Sequence, residues 1–452
     1  MKLKELLEMS KGTLIGNADL DIEIKNFSID SRNVGESCIF VPLKGEKADG
    51  HIYIDSAFLN GAIGSFTSID MEPIEGKILI KVDDVLTALQ ETSKNLRTKL
   101  IDIPVVALTG SVGKTTTKDM IHAVLSKKYN TLKTQGNFNN GIGLPLTLLS
   151  YKDEEMMVLE MGMNSFGEIS LLSNIARPNL SVITNIGHSH IGNLGSREGI
   201  LKAKLEILEG MQEGAPVIFN GDDDMLATVE DIDQECVEFS IENEAADVYA
   251  YDIEVDDFST SFSVKEDEKE YRIKINLSGT KFVYNALAAW TVGKMYDVEP
   301  EDRVAALAEC EYTKMRMNIK QTDKYTIIND CYNASSESMS VALEMLARQK
   351  NRRVAVLGEI CELGDFAEEI HLGVGGKVAL SRVDVLVLSG EHAEAIKNGA
   401  LKHKMPVENI YIFNDANDIV QNIFGIVKEG DAILVKASRV MEYEKIVSAL
   451  EK

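Results

Sequence analysis

The 452-residue chain has little positive charge, little proline and no cysteine motif. Its 47 Lys and Arg stand against 72 Asp and Glu, a net charge of −25, which argues against a nucleic-acid binder because such proteins carry a basic surface. The five cysteines lack CxxC spacing, so we expect neither a disulfide scaffold nor a zinc site. No run of 18 apolar residues occurs, and we therefore expect a cytoplasmic protein without a membrane span.

The acidic residues are concentrated in one segment. Residues 220–270 contain 19 Asp and Glu and only 2 Lys, a net charge of −17. Apolar and polar residues alternate over 249–255 and 258–264, which is typical of strands with one face in water. We therefore interpret the segment as a solvated antiparallel meander rather than as an acidic docking surface.

The chain is too long for one hydrophobic core, and three compositional blocks predict three α/β domains. Residues 1–100 contain short strand-like pieces between turns. Residues 101–313 alternate continuous apolar strands with helices, which predicts a P-loop domain with a parallel sheet. Residues 314–452 alternate in the same way and predict a Rossmann-like domain.

The clearest chemical signal is a glycine-rich loop between a predicted strand at 104–109 and a predicted helix at 115–128. Such a loop brings backbone N–H groups and a helix N-terminus to a phosphate. We expect Lys114 to reach the β- and γ-phosphates and the Thr115 hydroxyl to bind Mg²⁺. The loop is shorter than the standard P-loop, since Leu108 stands where the first glycine is expected. The predicted phosphate-binding residues are Gly110, Ser111, Val112, Gly113, Lys114, Thr115 and Thr116.

Two further side chains follow the next predicted strands, where ligands of parallel sheets bind. Glu160 and His190 could together hold a second divalent cation. His188 competes with His190 for that role. Spacing alone makes Lys204 an ordinary solvated helix lysine. Asn137, Asn139 and Asn140 form an amide cluster suited either to a polar ligand or to a turn.

Taken in order, TGSVGKTTTK, NFNNGIGLPLTLL, LEMG, NIGHSH and LKAKLEI resemble the central domain of the Mur ligases. SIDSR, FVPLKGE and DGH in the first block, and YNA, LGE, ELG and LVKASR in the third, extend the resemblance over essentially the whole chain. Within the family it is greatest to members that add D-alanyl-D-alanine to UDP-N-acetylmuramoyl-tripeptide. The resemblance implies an ATP-dependent ligase of peptidoglycan synthesis that works with ATP and two Mg²⁺ ions through an acyl phosphate.

The resemblance also implies roles for single residues. Lys114, Glu160, His190 and a carbamylated Lys204 would be catalytic, with Thr115, Glu160 and His190 as metal ligands. Asn285, Arg316 and Asp330 would contact the nucleotide of ATP. The implied substrate-binding residues are Asp30, Ser31, Arg32, Lys44, Asp49, His51, Asn137, Asn139 and Asn140.

We expect a monomer that acts on small molecules and closes its third domain over the second, with hinges near residues 100 and 314. Two alternatives remain at this point. One is a related ligase that adds a single amino acid to a UDP-muramyl precursor. The other is a P-loop nucleotide-binding protein of different function, although a GTPase would require a base-reading motif such as NKxD, which the sequence lacks.

Overall fold

A computed structural model of the chain describes residues 1–45, 48–230, 232–313 and 318–452, with only the backbone of Asn318. Within these ranges the strands form three separate sheets. We call the parts built on them the N-terminal, central and C-terminal lobes. The described part of the chain has no helix long and apolar enough to cross a membrane.

The N-terminal lobe is a five-stranded sheet in the described residues, with strand order β1-β5-β4-β3-β2. Its strands are β1 (Thr13–Ile15), β2 (Asn26–Ser28), β3 (Cys38–Phe40), β4 (Gly64–Thr67) and β5 (Ile78–Lys81). Its helices are α1 (Leu3–Ser10), α2 (Ile54–Leu59) and α3 (Val85–Lys99). Only β1 is antiparallel to its neighbour among these pairs.

The central lobe contains a nine-stranded sheet in the described residues, ordered β14-β13-β12-β11-β10-β9-β6-β8-β7. Its strands are β6 (Val105–Thr109), β7 (Thr131–Lys133), β8 (Met156–Glu160), β9 (Leu180–Ile183), β10 (Val217–Asn220), β11 (Cys236–Ser240), β12 (Val248–Val255), β13 (Thr260–Glu266) and β14 (Lys269–Ile275). Its helices are α4 (Lys114–Leu125), α5 (Gly143–Leu149), α6 (Glu168–Ala176), α7 (Ile191–Leu194), α8 (Arg197–Leu205), α9 (Lys281–Met295) and α10 (Pro300–Glu309).

Strands β6 to β12 pair in parallel, and β12, β13 and β14 continue the sheet as an antiparallel meander. The strands β6, β8 and β10 are buried along their whole length, as their continuous apolar sequences require when helices cover both faces. Burial in β12 alternates, so the acidic segment is confirmed as a meander with one wet face.

The C-terminal lobe contains a six-stranded sheet in the described residues, ordered β15-β16-β20-β17-β18-β19. Its strands are β15 (Asn318–Gln321), β16 (Thr326–Asn329), β17 (Arg353–Leu357), β18 (Val385–Ser389), β19 (Ile410–Phe413) and β20 (Ala432–Lys436). Its helices are α11 (Ser336–Ala347), α12 (Ala367–Leu380), α13 (Ala393–Lys402), α14 (Ala416–Asn422) and α15 (Glu444–Leu450). The predicted three-part α/β fold class is confirmed.

Arg97 joins the N-terminal and central lobes. It lies in α3, is fully buried, and donates from Nε to the carbonyl oxygen of Ala176 at 2.6 Å. Its Nη2 donates to the Arg177 carbonyl and to Asn179 Oδ1, both at 3.2 Å. Burial, followed by the charge of Arg177, lowers the pKa of Arg97 to about 10. These bonds hold α3 against α6, so they argue against a hinge near residue 100.

Asp119 fixes the C-terminal end of the central lobe through Thr313. Its buried carboxylate accepts from Thr313 N at 3.0 Å and Thr313 Oγ1 at 2.7 Å. Lys133 Nζ donates to the same carboxylate at 2.9 Å, and Lys118 Nζ lies 3.5 Å away. Thr313, the last residue before the expected third domain, is therefore fixed to α4.

A buried ion pair attaches the meander to the helical layer. Arg303 of α10 donates to both carboxylate oxygens of Glu266, at 2.6 and 2.9 Å, and the two side chains are 2% and 8% exposed. The Trp290 indole donates to Glu266 at 3.0 Å, while the guanidinium lies 4.2 Å from its ring centroid. Both charges of this cluster are thus paired despite their burial, and Arg303 Nε is the one guanidinium nitrogen without a partner among the described residues.

Candidate active site

The phosphate loop connects β6 to α4, as predicted. Gly110 has φ of +157°, and a Cβ there would lie 1.9 Å from Thr184 Oγ1. The loop is held by the segment that follows β9, because Asn185 accepts from Ser111 N and Val112 N, each at 3.0 Å. The first N–H groups of α4 lack intrahelical partners by geometry and face the loop, which is the arrangement that binds a phosphate.

Lys114 and Thr115 begin α4 directly after the loop. Lys114 Nζ donates to the Gly110 carbonyl at 2.7 Å and lies 3.4 Å from the Ser111 carbonyl. The Thr115 hydroxyl is buried without a hydrogen-bond partner among the described residues. Threonine and carboxylate oxygens are ligands that Mg²⁺ prefers, so an unpartnered hydroxyl here fits a cation.

Glu160 ends β8, the strand next to β6. Asn139 Nδ2 donates to its Oε1 at 2.8 Å, while its Oε2 is buried and has no partner among the described residues. An ionised oxygen buried without a donor is costly unless a cation or ligand neutralises it. Glu160 therefore fits the predicted metal site, and Asn139 orients it.

His190 and His188 both face the C-terminal lobe. His190 Nδ1 lies 2.5 Å from Glu362 Oε2, and this hydrogen bond lowers the pKa of Glu362. His188 Nδ1 lies 2.6 Å from Glu337 Oε1, which also accepts from His188 N at 2.8 Å. The structure thus gives each histidine a carboxylate from the other lobe. Glu362 belongs to the ELG motif, but the sequence indicated no role for it or for Glu337.

Lys204 is buried in α8, with 2% of its surface exposed. The solvated helix lysine that spacing alone favours is therefore wrong, because α8 packs this face inward. Burial, followed by the ammonium of Lys114, lowers the pKa of Lys204 well below its ordinary value of 10.5. The buried side chain thus lies close to Lys114, and its charged form is disfavoured there.

The remaining asparagines of the predicted cluster have different environments. Asn140 Oδ1 accepts from Gly143 N at 2.9 Å and Ile142 N at 3.1 Å, so it caps the start of α5. Asn137 is exposed, and its carbonyl accepts from Asn139 N at 2.7 Å. Of the three, Asn139 is the one that the structure joins to Glu160.

Predicted nucleotide contacts lie on two lobes. Asn285 of α9 is 7% exposed and lies against the phosphate loop, where a Cβ on Gly113 would be 3.0 Å from its Oδ1. Asp330 follows β16 and is paired with the buried Lys436, whose Nζ also donates to the Asn333 carbonyl at 2.9 Å. Arg316 lies outside the described residues.

The predicted substrate residues of the N-terminal lobe form two local groups. Arg32 donates through Nε and Nη2 to both oxygens of Asp30, each at 2.9 Å, and these bonds lower the pKa of Asp30 to about 2. Arg32 is exposed and Ser31 is buried. The second group contains Lys44, Asp49 and His51.

Asp49 and His51 support one another. His51 Nδ1 lies 2.6 Å from Asp49 Oδ1, and its Nε2 accepts from Ser68 N at 2.9 Å, so both ring nitrogens are engaged. Lys44 pairs with Asp49 through an isolated backbone bridge and is itself exposed. Within this group, the exposed lysine is the side chain open to an anion.

Comparison with known proteins identifies two family models in the chain. Residues 108–293 match the Mur ligase middle domain, and residues 315–439 match the Mur ligase glutamate ligase domain. A UDP-N-acetylmuramoyl-tripeptide–D-alanyl-D-alanine ligase of Bacillus subtilis (strain 168) is 39% identical over 99% of this chain and 98% of its own length.

Solved structures show the same similarity. The crystal structure of MurF from Acinetobacter baumannii superposes with a TM-score of 0.88 at 29% identity, covering 100% of this chain and 99% of that one. MurF ligase from Thermotoga maritima, solved in complex with ADP, gives a TM-score of 0.79 at 28% identity over 94% and 97% of the two chains.

Proposed function

This chain belongs to the Mur ligase family, ATP-dependent enzymes that form a carbon–nitrogen bond, and we propose that it adds D-alanyl-D-alanine to UDP-N-acetylmuramoyl-tripeptide in peptidoglycan precursor synthesis. One observation carries the proposal at the level of chemistry. Lys204 is buried beside the phosphate-loop lysine, Lys114, and the Thr115 hydroxyl and Glu160 Oε2 are buried without partners among the described residues. Nucleotide binding by a phosphate loop accounts for Thr115, but it requires neither a second buried lysine nor an unpartnered carboxylate oxygen.

The reaction needs an activated carboxylate. An oxide ion is a poor leaving group, so the γ-phosphoryl group of ATP is first transferred to the terminal carboxylate of the tripeptide, giving an acyl phosphate and ADP. The amine of D-alanyl-D-alanine then attacks the carbonyl carbon, loses a proton and displaces phosphate, which leaves the amide. Phosphoryl transfer depends mainly on positioning and on neutralising charge, the task that Lys114 and the N-terminus of α4 perform here.

The oxygens of Thr115 and Glu160 that are unpartnered among the described residues fit Mg²⁺. Thr115 would hold one ion beside the phosphates, and Glu160 and His190 would hold the second, with Asn139 orienting the Glu160 carboxylate. When bound, such ions neutralise the charge that accumulates between ATP and the carboxylate.

Lys204 is suited to carbamylation because its lowered pKa favours the neutral amine, the form that reacts with CO₂. The nitrogen attacks CO₂, a carbon–nitrogen bond forms, and one proton leaves, so that a buried amine becomes an anion. The nearby Lys114 ammonium, which disfavours a second positive charge, favours a negative one. A carbamate at this position would support the second cation together with Glu160.

The lobes would divide the substrates between them. Asp30, Ser31, Arg32, Lys44, Asp49 and His51 would bind the UDP portion, whereas Asn285, Arg316 and Asp330 would bind the ATP nucleotide. The C-terminal lobe, already in contact with His188 and His190, would shield the acyl phosphate from water. We further propose domain boundaries at 100/101 and 313/314, a monomer, and a cytoplasmic location where ATP and UDP-linked precursors are available.

The proposal is tested by ADP release with UDP-N-acetylmuramoyl-tripeptide, comparing D-alanyl-D-alanine with single amino acids. We expect ADP release only with the dipeptide, and none from Lys114→Ala. Turnover with a single amino acid instead would favour the alternative ligase, and turnover in Lys114→Ala would refute the assignment of the phosphate loop.

Lys204 is tested with Lys204→Met and, as a matched control, Lys202→Met on the exposed face of the same helix. We expect a loss of at least about a thousandfold in kcat for Lys204→Met and little change for Lys202→Met, since the combined loss of charge stabilisation exceeds about 4 kcal/mol. Labelled bicarbonate should give a carbamate signal in the wild type that Lys204→Met lacks.

A further inference from the structure

The contact between His190 and Glu362 joins the two lobes at the proposed second metal site. His190 stands at the start of α7 in the central lobe, and Glu362 belongs to the loop after β17 in the C-terminal lobe. The imidazole Nδ1 and the carboxylate Oε2 are 2.5 Å apart and form a hydrogen bond. Gly192 N also donates to the Glu362 carbonyl at 3.3 Å, so backbone as well as side chain is engaged.

Both members of the pair occupy an unusual backbone conformation. His190 has φ of +65° and Glu362 has φ of +66°, in the left-handed region that residues other than glycine rarely adopt. Such conformations persist where the surroundings impose them, and they cluster at functional sites. Residues next to both are closely packed or hydrogen-bonded. A Cβ on Gly192 would lie 2.7 Å from Gly364 N, and Ser438 Oγ accepts from Cys361 N at 2.9 Å.

A carboxylate on one imidazole nitrogen determines what the other nitrogen does. When Nδ1–H donates to Glu362, the ring is fixed in the tautomer whose Nε2 carries the lone pair, and its orientation is set. We propose that Glu362 is a positioning residue for His190, which aims Nε2 at the second metal ion. The proposal rests on the proposed metal role of His190 and adds a residue that acts through it.

Glu362 belongs to a different lobe from the histidine that it positions. Asn139 orients Glu160 from within the central lobe, but the partner of His190 comes from the C-terminal lobe. His190 is therefore oriented for the second metal ion only when the C-terminal lobe is docked. Binding of the second ion and docking of the lobe favour each other as a result.

The pair of His188 and Glu337 provides a matched control. It also joins an imidazole Nδ1 of the same loop to a carboxylate of the C-terminal lobe, at 2.6 Å. Removing Glu337 thus removes a docking contact of the same kind and leaves His190 and Glu362 intact. If both glutamates only docked the C-terminal lobe, Glu337→Ala and Glu362→Ala would change the metal affinity equally.

The experiment is a titration of the full chain with Mn²⁺ in the presence of a non-hydrolysable ATP analogue, followed by electron paramagnetic resonance of the free ion. We expect wild type to bind two ions, and Glu362→Ala to bind the weaker one about 10- to 100-fold less tightly. Glu337→Ala should change that affinity less than about twofold, because it leaves the partner of His190 in place. Glu362→Gln, whose amide oxygen still accepts the Nδ1 proton, should restore part of the affinity.

Thermal denaturation identifies any variant that fails to fold, and Glu362→Met, of similar length without an oxygen, then carries the same expectation as Glu362→Ala. In a His190→Ala background Glu362→Ala should have no further effect. Equal losses from Glu337→Ala and Glu362→Ala, or an unchanged second affinity in Glu362→Ala, would overturn the positioning role alone. Binding of one ion by wild type would overturn the second metal site and this role together.

Discussion

Gly110 offers a sharp test of how the phosphate loop is built. In the variant Gly110→Ala the new Cβ would lie 1.9 Å from Thr184 Oγ1, whereas real Cβ atoms stay at least 3.0 Å from such an atom. The loop, the segment after β9 or the Thr184 side chain, which donates to the Val112 carbonyl at 3.0 Å, must therefore move by about 1 Å, and overpacking of this kind costs about 1–3 kcal/mol. The φ of +157° adds about 1–3 kcal/mol for a residue with a side chain.

We expect Gly110→Ala to lower the free energy of unfolding by about 2–6 kcal/mol, measured by urea denaturation, and to weaken ATP binding measured by calorimetry. In a Thr184→Ala background the nearest contact becomes the Thr184 Cβ position at 3.1 Å, so most of the overpacking cost disappears and the backbone cost remains. Gly76→Ala is the matched control, because φ is +71° and nothing lies within 4 Å of its Cβ.

A wild-type free energy of unfolding in Gly110→Ala would refute the clash. An equal cost in the presence and absence of the Thr184 hydroxyl would show that the backbone conformation, and not this contact, is the reason for the glycine.

Three further predictions concern buried charges. Arg97→Met should lower the free energy of unfolding by about 3–5 kcal/mol in urea, because it leaves buried carbonyl groups without donors. Glu266→Gln should cost about 3–5 kcal/mol by unpairing Arg303, whereas the control Glu254→Gln, in an exposed ion pair, should cost under about 1 kcal/mol. For Asp119, burial raises the pKa, but Lys118, Lys133 and Thr313 together lower it below its ordinary 3.8. Its contribution to stability is therefore present above pH 3.8 and is lost as the pH falls through the lower pKa of the folded protein. In denaturation experiments the stability difference between wild type and Asp119→Asn should therefore shrink below about pH 4.

The sequence predicted those parts of the fold that rest on local pattern. Continuous apolar strands and the turn residues between them were sufficient to place β6, β8 and β10, and the helix after the phosphate loop. The strand Thr13–Ile15 could not be predicted in this way, because three residues carry too little periodicity to distinguish a strand from a turn.

The parts of the site whose residues are contiguous in sequence could be predicted. The burial and the partners of other residues depend on tertiary packing and could not. The run Gly110–Thr116 is readable because loop and helix are neighbours in sequence. Burial of Lys204 is not readable from spacing, since it depends on what covers α8. Glu337 and Glu362 meet their histidines across 149 and 172 residues, and no local pattern encodes such a contact.

The bonds of Arg97 also determine where the chain can be cut. A fragment ending at residue 100 would retain the guanidinium and lose the carbonyls of Ala176 and Arg177 that surround it, and a fragment starting at 101 would retain those carbonyls without their donor. Each half would expose polar groups that the intact chain satisfies in its interior. A cut at residue 313, in contrast, keeps this arginine with its acceptors and Asp119 with Thr313.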